Sequence, residues 1–441
     1  MVKRIESRWR ARLPVCVARY LLVFSLCFSG SLWAGNWPQW RGPAGDSVSN
    51  ETGLPLKWSE EANIAWKCPL PGEGASTPVI WRDAIFVTTQ QADRLLLLRI
   101  NKATGQIAWE RQVGSGETPR KAPRGEQKFH ALQNLASPSP VTDGELVIAH
   151  FGNGLLAAYD FAGKQLWRHN LQEEHGTYTI WWGHANSPVL FEELVITVCM
   201  QDSLTDLQEK PAPSYVIAHD RRDGHQVWKT MRMTEARAEE CDAYTTPIFY
   251  RNKSRTEMII MGADEIDAYD PATGQRLWQL PGFAKGRLIT GPTLGDGMVY
   301  ATQGMRGSLV AIRPDGEGKL PASAVVWKEK QATPDSSCPV VCKGMIFWIT
   351  DNGYAQCHDA NTGELKWKER LPGDYKASPI AAEGRVYFLN LSGLCTVVAA
   401  LPHFKKLAEN KISAETIASP ALSDGKIYLR GRKVLYCIRN K

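Results

Sequence analysis

The chain has cysteines but none of the cysteine spacings that hold haem or structural zinc. Its 441 residues include 10 cysteines, with no CxxC, no CxxCH and no adjacent Cys–Cys pair. Those spacings mark c-type haem attachment and zinc ribbons, so the sequence supports neither class. Cys16 and Cys27 lie in the N-terminal segment. For the other eight, disulfide pairing stays open, because an exported protein permits disulfides and the sequence does not pair them.

Motifs of several common enzyme classes are also missing. No GxSxG, HExxH, P-loop, HRD or DFG sequence occurs. The signatures of serine hydrolases, zinc proteases, P-loop nucleotide-binding proteins and protein kinases are therefore absent. A catalytic triad assembled from distant segments escapes such a search. We therefore expect a binding function rather than catalysis by a known motif.

An apolar run of secretory length lies near the N-terminus. The run is Tyr20–Trp33, and six Lys or Arg residues precede it. A basic segment followed by such a run is typical of a signal peptide and is too short for an ordinary transmembrane helix. We predict residues 1–34 to be a signal peptide cleaved after Ala34 or, alternatively, an uncleaved anchor. The protein is then expected in the periplasm or outside the cell, with no other membrane span.

Little net charge remains once this segment is set aside. The formal charge is +6, and residues 1–34 hold six basic residues and one acidic residue, which leaves +1 for the rest. A nearly neutral body has no electrostatic footprint for nucleic acid. We expect no nucleic-acid partner.

What the sequence does have is a tryptophan that recurs once per unit. Five of these tryptophans each follow a glycine by four residues, and a sixth ends a longer version of the same unit. A seventh precedes the first complete unit. The set is Trp66, Trp109, Trp167, Trp228, Trp278, Trp327 and Trp367. Because they recur with the unit, we expect these seven side chains to be structural.

Each unit reads as one four-stranded antiparallel sheet. It begins with a Pro, usually after Ser or Thr, and holds four short β-type runs separated by Gly, Asp or Asn turns. The eight starts are Pro78, Pro140, Pro188, Pro247, Pro292, Pro339, Pro379 and Pro420. The seventh unit has Ala408 in place of the tryptophan, and the eighth ends after three strands.

The missing strand predicts how the chain closes. The segment around Trp66 has no unit of its own, so we expect it to complete the eighth sheet. Residues 62–441 are therefore predicted to form an all-β, eight-bladed β-propeller, with residues 35–61 as an N-terminal extension. Radial repetition leaves only short, protected sheet edges. We expect a monomer.

A second repeated position carries a small residue. Four units place an alanine there, and two place a cysteine: Ala158, Ala218, Ala268, Ala311, Cys357 and Cys437. For the two cysteines we expect a small, buried, apolar role.

The units resemble the pyrroloquinoline-quinone-like propeller repeat. The family pattern A-x-D-x-x-T-G-x-x-x-W is matched from Ala268 to Trp278, with Asp270, Thr273 and Gly274 in place. The stretch that begins at residue 36 resembles the opening of exported, planctomycete-type members. The resemblance implies the propeller fold and two kinds of relative. These are quinoprotein dehydrogenases and the periplasmic propeller lipoprotein of the outer-membrane β-barrel assembly machinery, whose lipobox is absent here.

The dehydrogenase relatives imply requirements that can be checked. In that family the quinone stacks between a tryptophan and a disulfide of adjacent cysteines, beside Ca²⁺ held by acidic and amide side chains. This chain has no adjacent cysteines and no obvious calcium spacing. We expect no cofactor. A PQQ-dependent quinoprotein oxidoreductase, with pyrroloquinoline quinone and calcium, remains the alternative function.

Loop length indicates which face carries the site. The long insertions, 110–136, 168–186, 201–214 and 229–245, all fall on the face formed by the loops between blades. Loops on a rigid scaffold are where function usually lies. Residues just before each innermost strand should rim the channel there: His130, Asn134, Trp181, Trp182, His184, Asn186, Tyr244, Arg287, Asp335, Tyr375 and Lys376.

This ring of aromatic and polar side chains suits a small polar ligand or the side chains of an envelope protein. His130 and His184 could meet near the channel mouth. Isolated loop histidines are more often hydrogen-bonded surface groups than ligands, so we predict no metal.

Overall fold

The recurring tryptophans lie on the fourth, outermost strands of a ring of antiparallel sheets. The computed structural model describes residues 35–116, 129–201, 213–283, 286–303 and 307–441, together with two short strands, Lys121–Ala122 and Gly125–Glu126. The chain divides into Met1–Trp33 and Ala34–Lys441, and the fold concerns the second unit. The predicted signal peptide or anchor (1–34) lies outside the described residues, as does most of the insertion 201–214.

Eight sheets follow one another in chain order. Blade 1 is Val79–Trp81, Ala84–Gln91, Arg94–Asn101 and Ile107–Ser115; blade 2 is Val141–Thr142, Leu146–His150, Leu155–Asp160 and Gln165–Asn170; blade 3 is Val189–Phe191, Leu194–Cys199, Tyr215–Asp220 and Gln226–Met231; blade 4 is Ile248–Arg251, Thr256–Gly262, Glu265–Tyr269 and Arg276–Pro281.

The second half repeats the pattern. Blade 5 is Thr293–Gly295, Met298–Thr302, Leu309–Ile312 and Val325–Glu329; blade 6 is Val340–Cys342, Met345–Ile349, Tyr354–Asp359 and Leu365–Arg370; blade 7 is Ile380–Ala382, Arg385–Leu389, Leu394–Ala399 and Lys406–Lys411; blade 8 is Ala421–Ser423, Lys426–Arg430, Val434–Ile438 and, from the N-terminal side, Ile64–Pro69.

Among the residues that the structure describes, helical structure is confined to short connections. There is one α-helix, Leu171–His175, and there are two 3₁₀ turns, Ala238–Cys241 and Ala322–Ala324, in the described part of the chain. Within these ranges, no helix has the length and apolarity that crossing a bilayer requires. Two further short strands extend existing sheets in parallel, Val48–Ser49 on blade 7 and Gly318–Lys319 on blade 4.

The ring closes as the sequence predicts. Ile64–Pro69 pairs antiparallel with Val434–Ile438, with Trp66 opposite Cys437. The strands of blade 8 thus come from both sides of the repeat region, and hydrogen bonds between them hold the ring shut. The prediction of an eight-bladed all-β propeller with this closure is confirmed.

Strand register explains the repeated small residue. In six blades it lies directly opposite the tryptophan of the same blade, as Ala218 lies opposite Trp228. The pairing register shifts immediately beside each of these pairs, which is the mark of a bulge. A small side chain leaves room for the indole ring beside it. Blade 7 reverses the sizes, with Val397 opposite Ala408.

The indoles tie each blade to the next. Trp167 Nε1 donates to the carbonyl of Arg221, 2.9 Å away in blade 3. Trp66, Trp109, Trp228, Trp327 and Trp367 likewise donate to main-chain carbonyls of the following blade. Trp278 differs, because it donates to the Glu257 carboxylate of its own blade at 2.7 Å. Each indole N–H therefore has a partner, as a largely covered tryptophan requires.

The N-terminal extension covers the outer strand of blade 7 at Ala408, the position where other blades carry a tryptophan. The main-chain N–H of Trp58 donates to Asn410 Oδ1 at 2.9 Å, and Asn410 Nδ2 donates to the carbonyl of Leu56 at 3.1 Å. Trp58 is buried in the same apolar cluster as Ala408. The extension thus places apolar residues beside the outermost strand of blade 7, where that blade lacks its own indole.

Candidate functional site

The central channel holds a cavity of about 480 Å³ at the end where the inter-blade loops enter. Its wall comes from the residues that precede the innermost strand of all eight blades, and one further residue, Trp40, comes from the N-terminal extension. Volumes of a few hundred Å³ with a mixed lining are typical of small-molecule sites. We take this cavity as the candidate site.

Six of the eleven side chains that we expected at the channel rim line this cavity: His130, Trp182, Tyr244, Arg287, Asp335 and Lys376. They come from loops before blades 2, 3, 4, 5, 6 and 7. Residues that are far apart in the chain therefore face one volume, because every inter-blade connection returns to the same end of the channel.

The other five lie outside the cavity lining. Asn134 donates from its amide to the carbonyl of Glu73, and the backbone N–H of half-buried Trp181 donates to Asp242. His184, Asn186 and Tyr375 are buried, since neighbouring strands cover them. Position before an innermost strand therefore did not by itself decide which side chains turn inward.

Two buried histidines pack together behind the wall. The ring of His184 stacks on Tyr178 at 4.9 Å and meets His150 edge-on at 4.9 Å, and His184 Nε2–H donates to the carbonyl of Val198. Burial lowers the pKa of His184 to about 4. His184 therefore does not join His130 at the channel mouth.

One side of the cavity is aromatic. His130 and Trp182 meet edge-on at 6.3 Å between ring centroids. Tyr244 lies beside Trp182, and its hydroxyl accepts a hydrogen bond from the backbone N–H of Trp182 at 3.3 Å. The Trp182 indole donates to Glu239 at 3.0 Å. These contacts hold three rings in place, and rigid rings offer contact area at low entropic cost.

Charges of alternating sign begin beside these rings, because Glu239 contacts both Trp182 and Arg287. Arg287 lies 3.6 Å from Glu239 and 4.0 Å from Asp335. Lys376 contacts Asp351 and donates to Ser336 Oγ at 3.1 Å. This part of the wall therefore offers cationic N–H donors beside a carboxylate acceptor.

The pKa shifts of His130 and Asp335 arise partly from the same two cations, Lys376 and Arg287. Burial lowers the pKa of His130, and the positive charges of Lys376 and Arg287 lower it further, so the imidazole is neutral near pH 7. Burial and the charge of Asp351 raise the pKa of Asp335, while Arg287 and Lys376 oppose that rise.

A belt of hydrogen bonds surrounds the cavity at the positions just before the repeat prolines. The backbone N–H of Ser139 donates to Ser187 Oγ at 2.9 Å, and Ser187 N–H donates to Thr246 Oγ1 at 3.1 Å. Four more steps of the ring do the same, one of them to Cys338 Sγ. The residue before each repeat proline therefore helps to join neighbouring blades by a hydrogen bond. Gly291 occupies this position in blade 5 and has no side chain that could accept one.

The far end of the channel is closed by residues 35–49, here called the capping segment. It lies beside the first strands of all eight blades, beginning at blade 8 and ending at blade 7. Arg41, 1% exposed, donates to the carbonyls of Pro292 and Pro339 and to Thr293 Oγ1, each at 2.9 Å. The Arg41 guanidinium lies 5.6 Å from the centre of the Trp40 ring. Trp40 in turn lines the cavity.

Sequence reasoning missed this closure. Two tryptophans and an arginine, Trp37, Trp40 and Arg41, stand close together in a segment without the repeat pattern. Tryptophan rings outside the repeat pattern indicate that their segment packs against another part of the protein. That was the signal in the sequence from which the closure could have been predicted. Their destination was not readable, because Arg41 bonds to residues about 250 and 300 positions away.

The lining does not match a calcium–quinone site. Among the described residues, Asp335 is the single carboxylate on the cavity wall, and none of the described cysteines, all free, lines it. Calcium takes six to eight oxygen ligands, usually including several carboxylates.

Comparisons with known proteins agree on the fold. A family profile described as outer membrane protein assembly factor BamB matches residues 48–209 and 320–401, together more than half of the chain. BamB from Moraxella catarrhalis has a similar structure, with 14% sequence identity, a TM-score of 0.57, and coverage of 85% of this chain and 99% of that one. Among curated proteins no match was found.

Two enzymes share the architecture. A quinohemoprotein alcohol dehydrogenase from Comamonas testosteroni has a TM-score of 0.65 at 14% identity, covering 92% of this chain and 81% of that one. One from Pseudomonas putida HK5 has a TM-score of 0.64 at 11% identity, covering 92% and 80%. Because a fold hosts many functions, these likenesses bear on shape alone.

Proposed function

Because the chain belongs to the pyrroloquinoline-quinone-like propeller family described as outer membrane protein assembly factor BamB, we propose that it is a binding module of the cell envelope. Its central cavity takes a small polar ligand or the projecting side chains of an envelope partner. The observation that carries this proposal is one cavity lined by Trp40, by the rings of His130, Trp182 and Tyr244, and by the charged side chains of Arg287, Asp335 and Lys376.

The two walls suit different parts of one ligand. The rings of His130, Trp182 and Tyr244 offer faces to apolar or cationic groups. In the same cavity, Arg287 and Lys376 offer N–H donors to a carboxylate or phosphate. A ligand with an anionic end and a flat or apolar body would engage both walls, as would an acidic side chain beside an aromatic one on a protein.

The setting in the cell is part of the same proposal. The basic segment and apolar run of residues 1–34 favour export, which would place the cavity in the periplasm or outside the cell. The opening sequence favours a planctomycete-type family. A monomer suffices, because the cavity is built from one chain.

The test compares charge-removed cavities with a matched control. Partners retained from an envelope fraction and a panel of small dicarboxylates, phosphates and amino acids are titrated against purified protein, with tryptophan fluorescence as the readout. Arg287→Gln and Lys376→Gln should each weaken binding of a genuine ligand by about tenfold or more. Lys406→Gln removes the same charge from an exposed ion pair with Glu409 and should leave the affinity unchanged.

The proposal fails if every ligand that binds the wild type binds both cavity variants equally well. Circular dichroism and the melting temperature exclude misfolding as the cause of any loss. A competitor that quenches cavity fluorescence and displaces the partner would place the two on the same surface.

A PQQ-dependent quinoprotein oxidoreductase is the second candidate. It is favoured by one observation, the cations Arg287 and Lys376 in a cavity that also holds Trp40, since a quinone with several carboxylates needs such partners. The single carboxylate on the wall speaks against it. Adding quinone and Ca²⁺ to the purified protein and following cofactor absorbance and dye reduction with an alcohol decides between the two.

A further inference from the structure

Four of the chain's nine histidines gather where blade 2 meets blade 3, away from the central cavity. His169 lies on the outermost strand of blade 2, and His175 ends the short helix that follows it. His219 lies on the third strand of blade 3, and His225 follows in the next turn. Electrostatic interactions join His219 to the other three.

Three donor groups of this cluster converge. One donor atom each from His169, Glu174 and His219 lies within 4.8 Å of the other two. His169 Nδ1 lies 2.9 Å from Glu174 Oε1, and the rings of His169 and His219 stack at 4.7 Å. A metal bound at about 2.1 Å to each ligand holds its donor atoms roughly 3–4 Å apart, so small side-chain rotations would suffice.

The buried imidazole of His219 gives the independent observation. The residue is 1% exposed, and its Nδ1 is buried without a hydrogen-bond partner. A buried polar atom without a partner is costly and calls for an explanation, such as an ion that is bound there. Burial beside three other histidines lowers the pKa of His219 to about 3, so the ring is neutral at physiological pH.

The surroundings of His169 also suit a ligand. Its Nε2–H donates to the carbonyl of Gly224 at 2.8 Å. Metal-binding histidines usually direct their second ring nitrogen to a carbonyl or carboxylate in this way, which fixes the ring. The side chain of Glu174 is 38% exposed, so an ion can reach the cluster from solvent.

We propose that His169 Nδ1, the Glu174 carboxylate and His219 form a binding site for a divalent transition-metal ion of the Zn²⁺ type. Two imidazoles and one carboxylate are a donor set that Zn²⁺ and its neighbours prefer, whereas Ca²⁺ and Mg²⁺ prefer oxygen alone. The ion replaces the proton between His169 and Glu174. It joins blade 2, the short helix and blade 3, so binding stabilises that joint.

A neighbouring group provides a built-in control. Asp220, Asp223 and His225 also lie close together, but Asp223 and His225 are exposed. Asp220 accepts backbone N–H groups of its own turn, and Asp223 Oδ1 pairs with His225 at 2.7 Å. These contacts explain the group as a turn.

The experiment titrates full-length protein, with no histidine tag, with Zn²⁺ by calorimetry and with Co²⁺ by visible absorbance. We expect one ion per chain, a rise in melting temperature, and no response to Ca²⁺ or Mg²⁺. Glu174→Gln changes an exposed side chain and should lower the Zn²⁺ affinity by about tenfold or more. His219→Gln should do the same, and His225→Gln should bind as the wild type does.

Any of three results would overturn the proposal. The first is absence of Zn²⁺ binding at micromolar concentrations. The second is unchanged affinity in both Glu174→Gln and His219→Gln. The third is a loss in His225→Gln as large as in these two, which would move the site to the exposed turn. If His219→Gln does not fold, the exposed Glu174→Gln still decides.

Discussion

The indole of Trp167 in blade 2 lies directly over the α-carbon of Gly224 in blade 3. A β-carbon added to Gly224 would be 2.7 Å from Trp167 Cδ2. The backbone of Gly224 also has a φ of +80°, an angle that residues other than glycine rarely adopt. The glycine and tryptophan of the repeat motif thus meet across the joint between blades, and the same contact recurs between Trp327 and Gly363.

This contact predicts a large penalty for Gly224→Ala. The substitution combines the left-handed backbone cost with overlap against the ring, and we expect a loss of about 2–4 kcal/mol in unfolding free energy. Gly297→Ala is the matched control, because Gly297 has a similar φ of +76° and open space around it. It should lose only the backbone part, about 1–2 kcal/mol. Urea unfolding measures both, and equal losses would contradict the role of the indole.

Arg41 should be among the most sensitive positions in the molecule. Arg41→Met keeps the apolar stem but removes the donor to the carbonyl of Pro292 and to Thr293 Oγ1. It also removes one of the two donors to the carbonyl of Pro339, which still accepts from Thr293 Oγ1. We expect a loss of about 3 kcal/mol or more. Arg222→Met is the control, since Arg222 is 62% exposed in a surface ion pair and should change stability by less than about 1 kcal/mol. Thermal unfolding of the two variants compares them directly.

The hydroxyl belt predicts opposite effects at two of its positions. Ser187→Ala removes the acceptor for the buried N–H of Ser139, so it should destabilise by about 1–3 kcal/mol. Gly291→Ser adds a hydroxyl where a new β-carbon meets only ordinary contacts, the nearest at 3.6 Å. It should be neutral or slightly stabilising. Chemical denaturation of both variants is the measurement, and a stabilised Ser187→Ala would refute the belt.

Stability should fall as the pH is lowered through the weakly acidic range. His184 titrates at about 4 in the folded state because of burial, against about 6.5 when unfolded. Between these values the unfolded chain binds a proton that the folded chain does not, so stability decreases with falling pH. One such histidine contributes about 1.4 kcal/mol for each pH unit in that window, and no further change below it.

The matching variant is His184→Asn. Unfolding free energies measured from pH 7 to pH 4 should show a shallower slope than in the wild type. Part of the pH dependence should remain in this variant, because burial also lowers the pKa of the neighbouring His150. His403→Asn, at an exposed histidine, is the matched substitution for comparison. An unchanged slope in His184→Asn would show that this side chain does not titrate on unfolding.

Much of the candidate site followed from position in the repeat. His130, Trp182, Tyr244, Arg287 and Lys376 all precede innermost strands and do face the cavity. The rule went wrong for residues such as Tyr375, which is fully buried in the apolar core. Position places a residue at one end of the channel, but packing between blades decides whether its side chain turns inward.

The sequence by itself determined the number of blades and the closing of the ring. The number of blades depends on a pattern that repeats locally, a glycine and then a tryptophan in strands that pair with their neighbours in the chain. The closing of the ring follows from that count, because the eighth unit lacks a strand that the segment around Trp66 supplies. Only the tertiary structure decided where the channel is closed and which histidines meet. The contacts of Arg41 with Pro339 and of His169 with His219 join distant segments once each, and a contact made once leaves no period in the sequence.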